Sequence, residues 1–211
     1  MARWQPGAPE RLQKAALELF ATRGFEQTTA AEIARAAGLT QRTFFRHFGD
    51  KRDVLFHGQD VFVQAFLAGL EAAPRDAPPM ELVAAALASG ASMFPDERRP
   101  WSLLRQSVID ANQALQERER HKLAGLAVRV ADALRSRGVA DPAATLAAES
   151  GTTVFGVAFA LWIHETGTRS LAAVAADVLD ELLGLVTRRS TRPTDPARRP
   201  DPSPVAGDHF G

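Results

Sequence analysis

Between Thr29 and Phe48 the chain has room for two helices and only about three residues to join them, which limits what its first fifty residues can become. Thr29 and Glu32 have the spacing of a capping box: the hydroxyl accepts the N–H of the third helical position and the carboxylate reaches back to the threonine N–H. Ile33, Ala34 and Ala37 supply a buried side, and Gly38 ends the helix where a left-handed backbone is needed. Thr40 caps the next helix, and Phe44 and Phe48, one turn apart, anchor it inward. Helices joined so tightly cross steeply.

Helical periodicity continues on both sides, and no strand is expected. A first helix opens at Pro9, buries Leu12, Ala15, Ala16, Leu19 and Phe20, and stops at Gly24. Gly49 and Asp50 break and recap the chain. A long fourth helix over residues 51–73 is then expected to link head to body through Val54, Leu55, Val61, Phe62, Ala65, Phe66 and Leu70. Further helices are read at 80–93, 97–115, 117–137, 143–166 and 171–188, separated by Pro95, residues 112–116, Gly138 with Pro142, and Gly167. Residues 190–211 are rich in Pro, Arg and Asp and read as a disordered tail.

The fold class is therefore all-α, with a helix-turn-helix head at 1–50, a helical body at 51–189 and the tail at 190–211. With no cysteine among 211 residues, disulfide scaffolds, zinc-thiolate sites, iron–sulfur clusters and cysteine nucleophiles are excluded. No cofactor or metal is expected. No uninterrupted run of about 18 apolar residues occurs, so no membrane partner is expected and the expected compartment is the cytoplasm. The zero net charge conceals a layout: residues 1–52 carry nine Lys and Arg against five Asp and Glu, and residues 53–187 carry eleven against seventeen. A basic head on an acidic body suits a protein that offers one end to a polyanion.

The window from Thr28 to Lys51 resembles the TetR family of bacterial repressors. The resemblance rests on Thr29, Ile33 and Ala34, the turn Ala37, Gly38, Leu39, Thr40, the run T-F-F-R-H-F at 43–48, and Lys51. With Phe44 and Phe48 in the core, Gln41, Arg42, Phe45 and Arg46 lie on the opposite side of their helix, where a major groove can receive them. An arginine fork pairs with guanine O6 and N7, a glutamine amide with adenine N6 and N7, and the Thr43 methyl can touch a thymine methyl. The resemblance implies phosphate contacts from Thr29, Thr40, Phe45, His47 and Lys51. Family members commonly carry tyrosine at the Phe45 position; this chain has none, so one polar contact is missing.

The resemblance also implies a ligand-responsive transcriptional regulator, a repressor, that binds a palindromic operator on double-stranded DNA as a homodimer through residues 143–188. A small apolar or aromatic effector would release it, with an acyl chain as one such ligand. Large side chains on the body helices are the candidate ligand contacts: Phe62, Phe66, Met93, Trp101, Phe155, Phe159 and Trp162, with Arg105 as a polar fixer. Ligand contacts near Phe62 and Phe66 would shift the fourth helix and, through Lys51 at its start, the head. Two other functions are alternatives: an adaptor that binds protein through residues 28–51, and an enzyme. His164 and Glu165 lack the second histidine of a zinc helix, and no phosphate loop or G-x-S-x-G elbow is present.

Overall fold

The computed structural model describes residues 7–187, and every regular element among them is helical. The expected disordered tail, 190–211, lies outside the described residues. The head consists of α1 (Ala8–Arg23), α2 (Ala30–Ala36) and α3 (Gln41–His47). Leu12, Ala16, Phe20, Ile33, Phe44 and Phe48 form its core. The caps form as their spacing predicts. Thr29 and Glu32 close the capping box on α2, and the Thr40 hydroxyl accepts the Thr43 N–H at 3.1 Å to open α3. Gly38 takes the left-handed turn between them at φ 66°.

The connection to the body differs from the expected continuous helix. Residues 51–73 are interrupted: Asp53–Phe56 form a single 3-10 turn, Gly58 adopts φ 83°, and α4 runs only from Gln59 to Ala72. Two carboxylates close this corner reciprocally. Asp50 Oδ1 accepts the N–H groups of Arg52 and Asp53, while Asp53 Oδ2 accepts those of Gly49 and Asp50. The reason is tertiary, since Val54, Leu55 and Phe56 are buried in the head, where they meet Val108, Ile109 and Leu115. Those three come from α6 (Arg99–Asp110) and the start of α7 (Gln113–Ser136), so the core of the head extends through Phe56 and includes pieces of the body's chain.

The body adds α5 (Pro79–Ala91), α8 (Ala143–His164) and α9 (Leu171–Thr187), with α5 packed against α4, α8 and α9. The segment expected at 97–115 ends at Asp110, and Asn112 caps α7 by accepting the Leu115 N–H at 3.1 Å. Close approach is built into α5. A Cβ on Gly90 would lie 1.9 Å from the Phe66 ring, so only glycine lets that ring approach the helix so closely. Arg137, at the end of α7, donates to the carbonyls of Leu70, Glu71, Ala73 and Pro74, which satisfies the C-terminus of α4. By length and composition α8 could cross a bilayer, but half of its most apolar stretch is buried within the helical body.

Candidate functional site

The exposed side of α3 carries the residues that the sequence singles out. Gln41, Arg42, Phe45, Arg46 and His47 are exposed, Thr43 is half-buried, and Phe44 beneath them is fully buried. Among the described residues neither Gln41 nor Arg42 has an intramolecular partner, so both heads are free to engage something outside the chain. Phe45 is 51% exposed and held edge-on by Phe44 at 5.3 Å. The Arg46 guanidinium approaches His47 Nε2 at 3.4 Å. A guanidinium only donates, so Nε2 is the acceptor in that contact. The Thr40 and Thr43 hydroxyls share one hydrogen bond of 3.0 Å, which leaves one O–H of the pair to donate elsewhere.

Thr29 and Lys51, for which the resemblance implies phosphate contacts, make hydrogen bonds within the chain. The single hydroxyl proton of Thr29 goes to Glu32 Oε2 at 2.8 Å, and its N–H goes to the same oxygen at 2.9 Å. These two bonds, first the backbone one and then the hydroxyl one, hold the Glu32 carboxyl below the usual carboxylate range, helped by the Arg23 charge. Lys51 does not open α4. Its ammonium donates to the carbonyls of Phe25, Glu26 and Thr28 at 2.8, 3.2 and 3.1 Å, and stands 4.4 Å from the centre of the Phe25 ring. All three of its protons are taken, so it pins the loop between α1 and α2 to the corner after α3.

The candidate ligand residues divide. Phe62, Phe66, Phe155, Phe159 and Trp162 come together with Phe94, with ring centroids 4.9 Å apart for Phe62 and Phe66 and 5.1 Å for Phe62 and Phe155. Trp162 is fixed at the end of α8 by the Arg99 guanidinium, 5.0 Å from its ring, and by donating to Asp96. Met93 is half-buried in the turn after α5. Trp101 is 37% exposed at the start of α6 and makes no ring contact with the cluster among the described residues. Arg105 points the other way: Nε donates to the Leu55 carbonyl and Nη1 to Glu119, which joins α6 to the head and to α7. The rings of this cluster pack directly against one another. The enclosed space beside Phe66 is about 10 Å³ and bounded by Val83, Leu87, Val130 and Gly151.

Sequence reasoning missed the seam between head and body. There Arg118 pairs with Asp53, Arg105 with Glu119, and Asn112 donates to Glu26. No local spacing announces these pairs, whose members lie 65, 14 and 86 residues apart.

A short steep helix pair, with a basic outer face on α3 and a helical body behind it, defines a helix-turn-helix protein. Residues 12–57 match the family model described as bacterial regulatory proteins, tetR family. It is 40% identical over 77 residues to the HTH-type transcriptional regulator TcmR of Streptomyces glaucescens, a match covering 36% of this chain and 34% of TcmR. The chain thus spans about a third of that curated relative. Over the whole fold it is similar to the fatty acid degradation regulator FadR of Bacillus halodurans, with TM-score 0.57 and 18% identity, covering 86% of this chain and 97% of that one. The transcriptional regulator FadR of Bacillus subtilis, solved in complex with stearoyl-CoA, gives TM-score 0.58 at 18% identity and covers 82% and 96%.

Proposed function

We propose that the protein is a ligand-responsive transcriptional regulator, acting as a repressor, that binds a palindromic operator as a homodimer. The observation carrying this reading is α3 itself: Phe44 is buried at 0% exposure while Gln41 and Arg42 stand free on the opposite side. Arg42, Gln41 and Arg46 read base edges, and Phe45 packs on a sugar or a thymine methyl. Thr40, Thr43 and His47 bond phosphates, which sets register without reading sequence. Thr29 and Lys51 hold the platform instead of touching DNA.

A single head reaches one major groove, so two copies are needed for half-sites spaced by about 34–36 Å or a multiple of it. Residues 143–188 supply the dimer face. Leu146, Val157 and Leu161 project from one side of α8 at 63%, 46% and 54% exposure, and Leu185 on α9 at 57%, an apolar surface that water disfavours and a second copy can cover. The effector parts the rings of Phe62, Phe66, Phe155 and Phe159, an apolar and aromatic lining that suits an apolar ligand. Selection of genomic DNA fragments by the purified protein tests the reading. A recovered sequence with two inverted half-sites is expected, and fragments sharing no motif would contradict it.

A further inference from the structure

A second opening lies outside the aromatic core, between α4 and α7. It is a cleft of about 480 Å³ bordered by Gln59, Val63, Arg118, His121, Lys122 and Gly125. Arg118, His121, Lys122 and Gly125 recur at i, i+3, i+4 and i+7, so α7 turns one basic face into it. The space beside Gly125 is open, since a Cβ there would meet nothing within 4 Å.

The charges are unevenly matched. Arg105 and Arg118 each have a carboxylate, in Glu119 and Asp53. Lys122 has no hydrogen-bond or ion-pair partner among the described residues, although it is half-buried above the Phe56 ring at 5.7 Å. Burial first, and then the Arg118 charge, hold its ammonium below the usual lysine range, against the weaker pull of Asp53 and Asp60. The Nε of Arg118 is likewise buried without a hydrogen-bond partner. Unpaired donors beside an open, partly apolar cleft are an arrangement that an anion completes.

Arg118 also reaches the head. One Asp53 oxygen takes its guanidinium, and the other takes the N–H groups of Gly49 and Asp50, the two residues directly after the α3 terminus at Phe48. Whatever competes with Asp53 for Arg118 therefore acts one residue from the end of the DNA-facing helix.

We propose that this cleft binds a small organic oxyanion, a carboxylate or phosphate monoester with an apolar tail lying along Val63, and that the bound oxyanion draws Arg118 from Asp53. Its role as effector rests on the regulator reading above, whereas the binding itself does not. Lys122 supplies the free charge, Arg118 the second contact, and the change at Asp53 loosens the corner that orients α3.

The test uses the full chain without DNA. In calorimetric titrations, octyl phosphate or octanoate binds at one site per chain and 1-octanol does not; whichever anion binds tighter identifies the headgroup. Lys122→Gln and Gly125→Val, each checked for unchanged helical circular dichroism, weaken that binding at least tenfold, the first by removing the charge and the second by filling the cleft. Equal affinity in all three proteins, or no saturable heat with either anion, overturns the site. The amide resonance of Gly49 shifts on titration in the parent and not in Lys122→Gln; binding that leaves Gly49 unmoved overturns the relay through Asp53. Failure here leaves DNA selection untouched, and failure of DNA selection leaves these titrations untouched, so the two readings fail separately.

Discussion

Lys51, for which the resemblance implies a phosphate contact, makes its hydrogen bonds within the chain. A half-buried ammonium that donates to three carbonyls fixes the loop before α2 against the corner after α3. Hydrogen bonds to charged groups contribute about 1.5–3 kcal/mol where they are measured, and replacement leaves three carbonyls to find other donors. Lys51→Met is expected to lower unfolding stability by about 1–3 kcal/mol in urea titrations, with the salt dependence of DNA binding unchanged. Unchanged stability with a shallower salt dependence would return Lys51 to the phosphate-contacting set. Glu32 gives a pH test with a defined sign. Because its carboxyl is held below its usual value by the Thr29 bonds, its contribution is complete above the ordinary carboxylate range and is lost as pH falls through the folded value. Glu32→Gln should therefore be less stable than the parent at pH 7 and should converge with it in acid; an equal difference at both pH values would contradict the capping assignment.

At the scale of elements, the caps were legible because they are local. Thr29 with Glu32 and Thr40 with Thr43 lie three residues apart, and their chemistry is the same in any fold that makes α2 and α3 helical. The break before α4 was not legible. Val54, Leu55, Phe62 and Phe66 keep helical spacing across it, and a lone glycine costs a helix only about 1 kcal/mol, so Gly58 is no decisive stop. What decides is burial of Val54, Leu55 and Phe56 against Val108, Ile109 and Leu115, more than fifty residues on. The contacts of Arg105 are illegible for the same reason, since its partners Leu55 and Glu119 lie outside any local window. The fourth helix consequently cannot act as one rigid lever from Phe66 to Lys51, and movement of α4 reaches the head across Gly58 or through Arg118. Gly90 sets the closeness of α4 and α5. Gly90→Ala places a methyl group inside the Phe66 ring and is expected to destabilise by about 1–3 kcal/mol, despite alanine's better helix propensity. A stabilised Gly90→Ala protein would mean that Phe66 moves aside easily and that the aromatic core opens at little cost.

At the scale of the molecule, the proposal joins the exposed apolar side of α8 and α9 to the free side of α3, so that paired bodies would carry two reading heads. Leu161→Glu puts a charge in the middle of the proposed dimer face, where it is exposed in the monomer and therefore tolerated by the fold. Sedimentation equilibrium should show a dimer for the parent and a monomer for Leu161→Glu, with operator affinity falling in step; a variant that remains dimeric would move the interface elsewhere. The central claim is that the Gln41 and Arg42 side of α3 enters a DNA groove. Its most direct test is fluorescence anisotropy on the selected palindrome across a salt series, for the parent and for Arg42→Ala. The account predicts a steep loss of affinity with salt in the parent and a further loss in Arg42→Ala of about 1–3 kcal/mol per half-site, confined to the palindrome and absent on unrelated duplex. Equal palindrome affinity in the two proteins would contradict it.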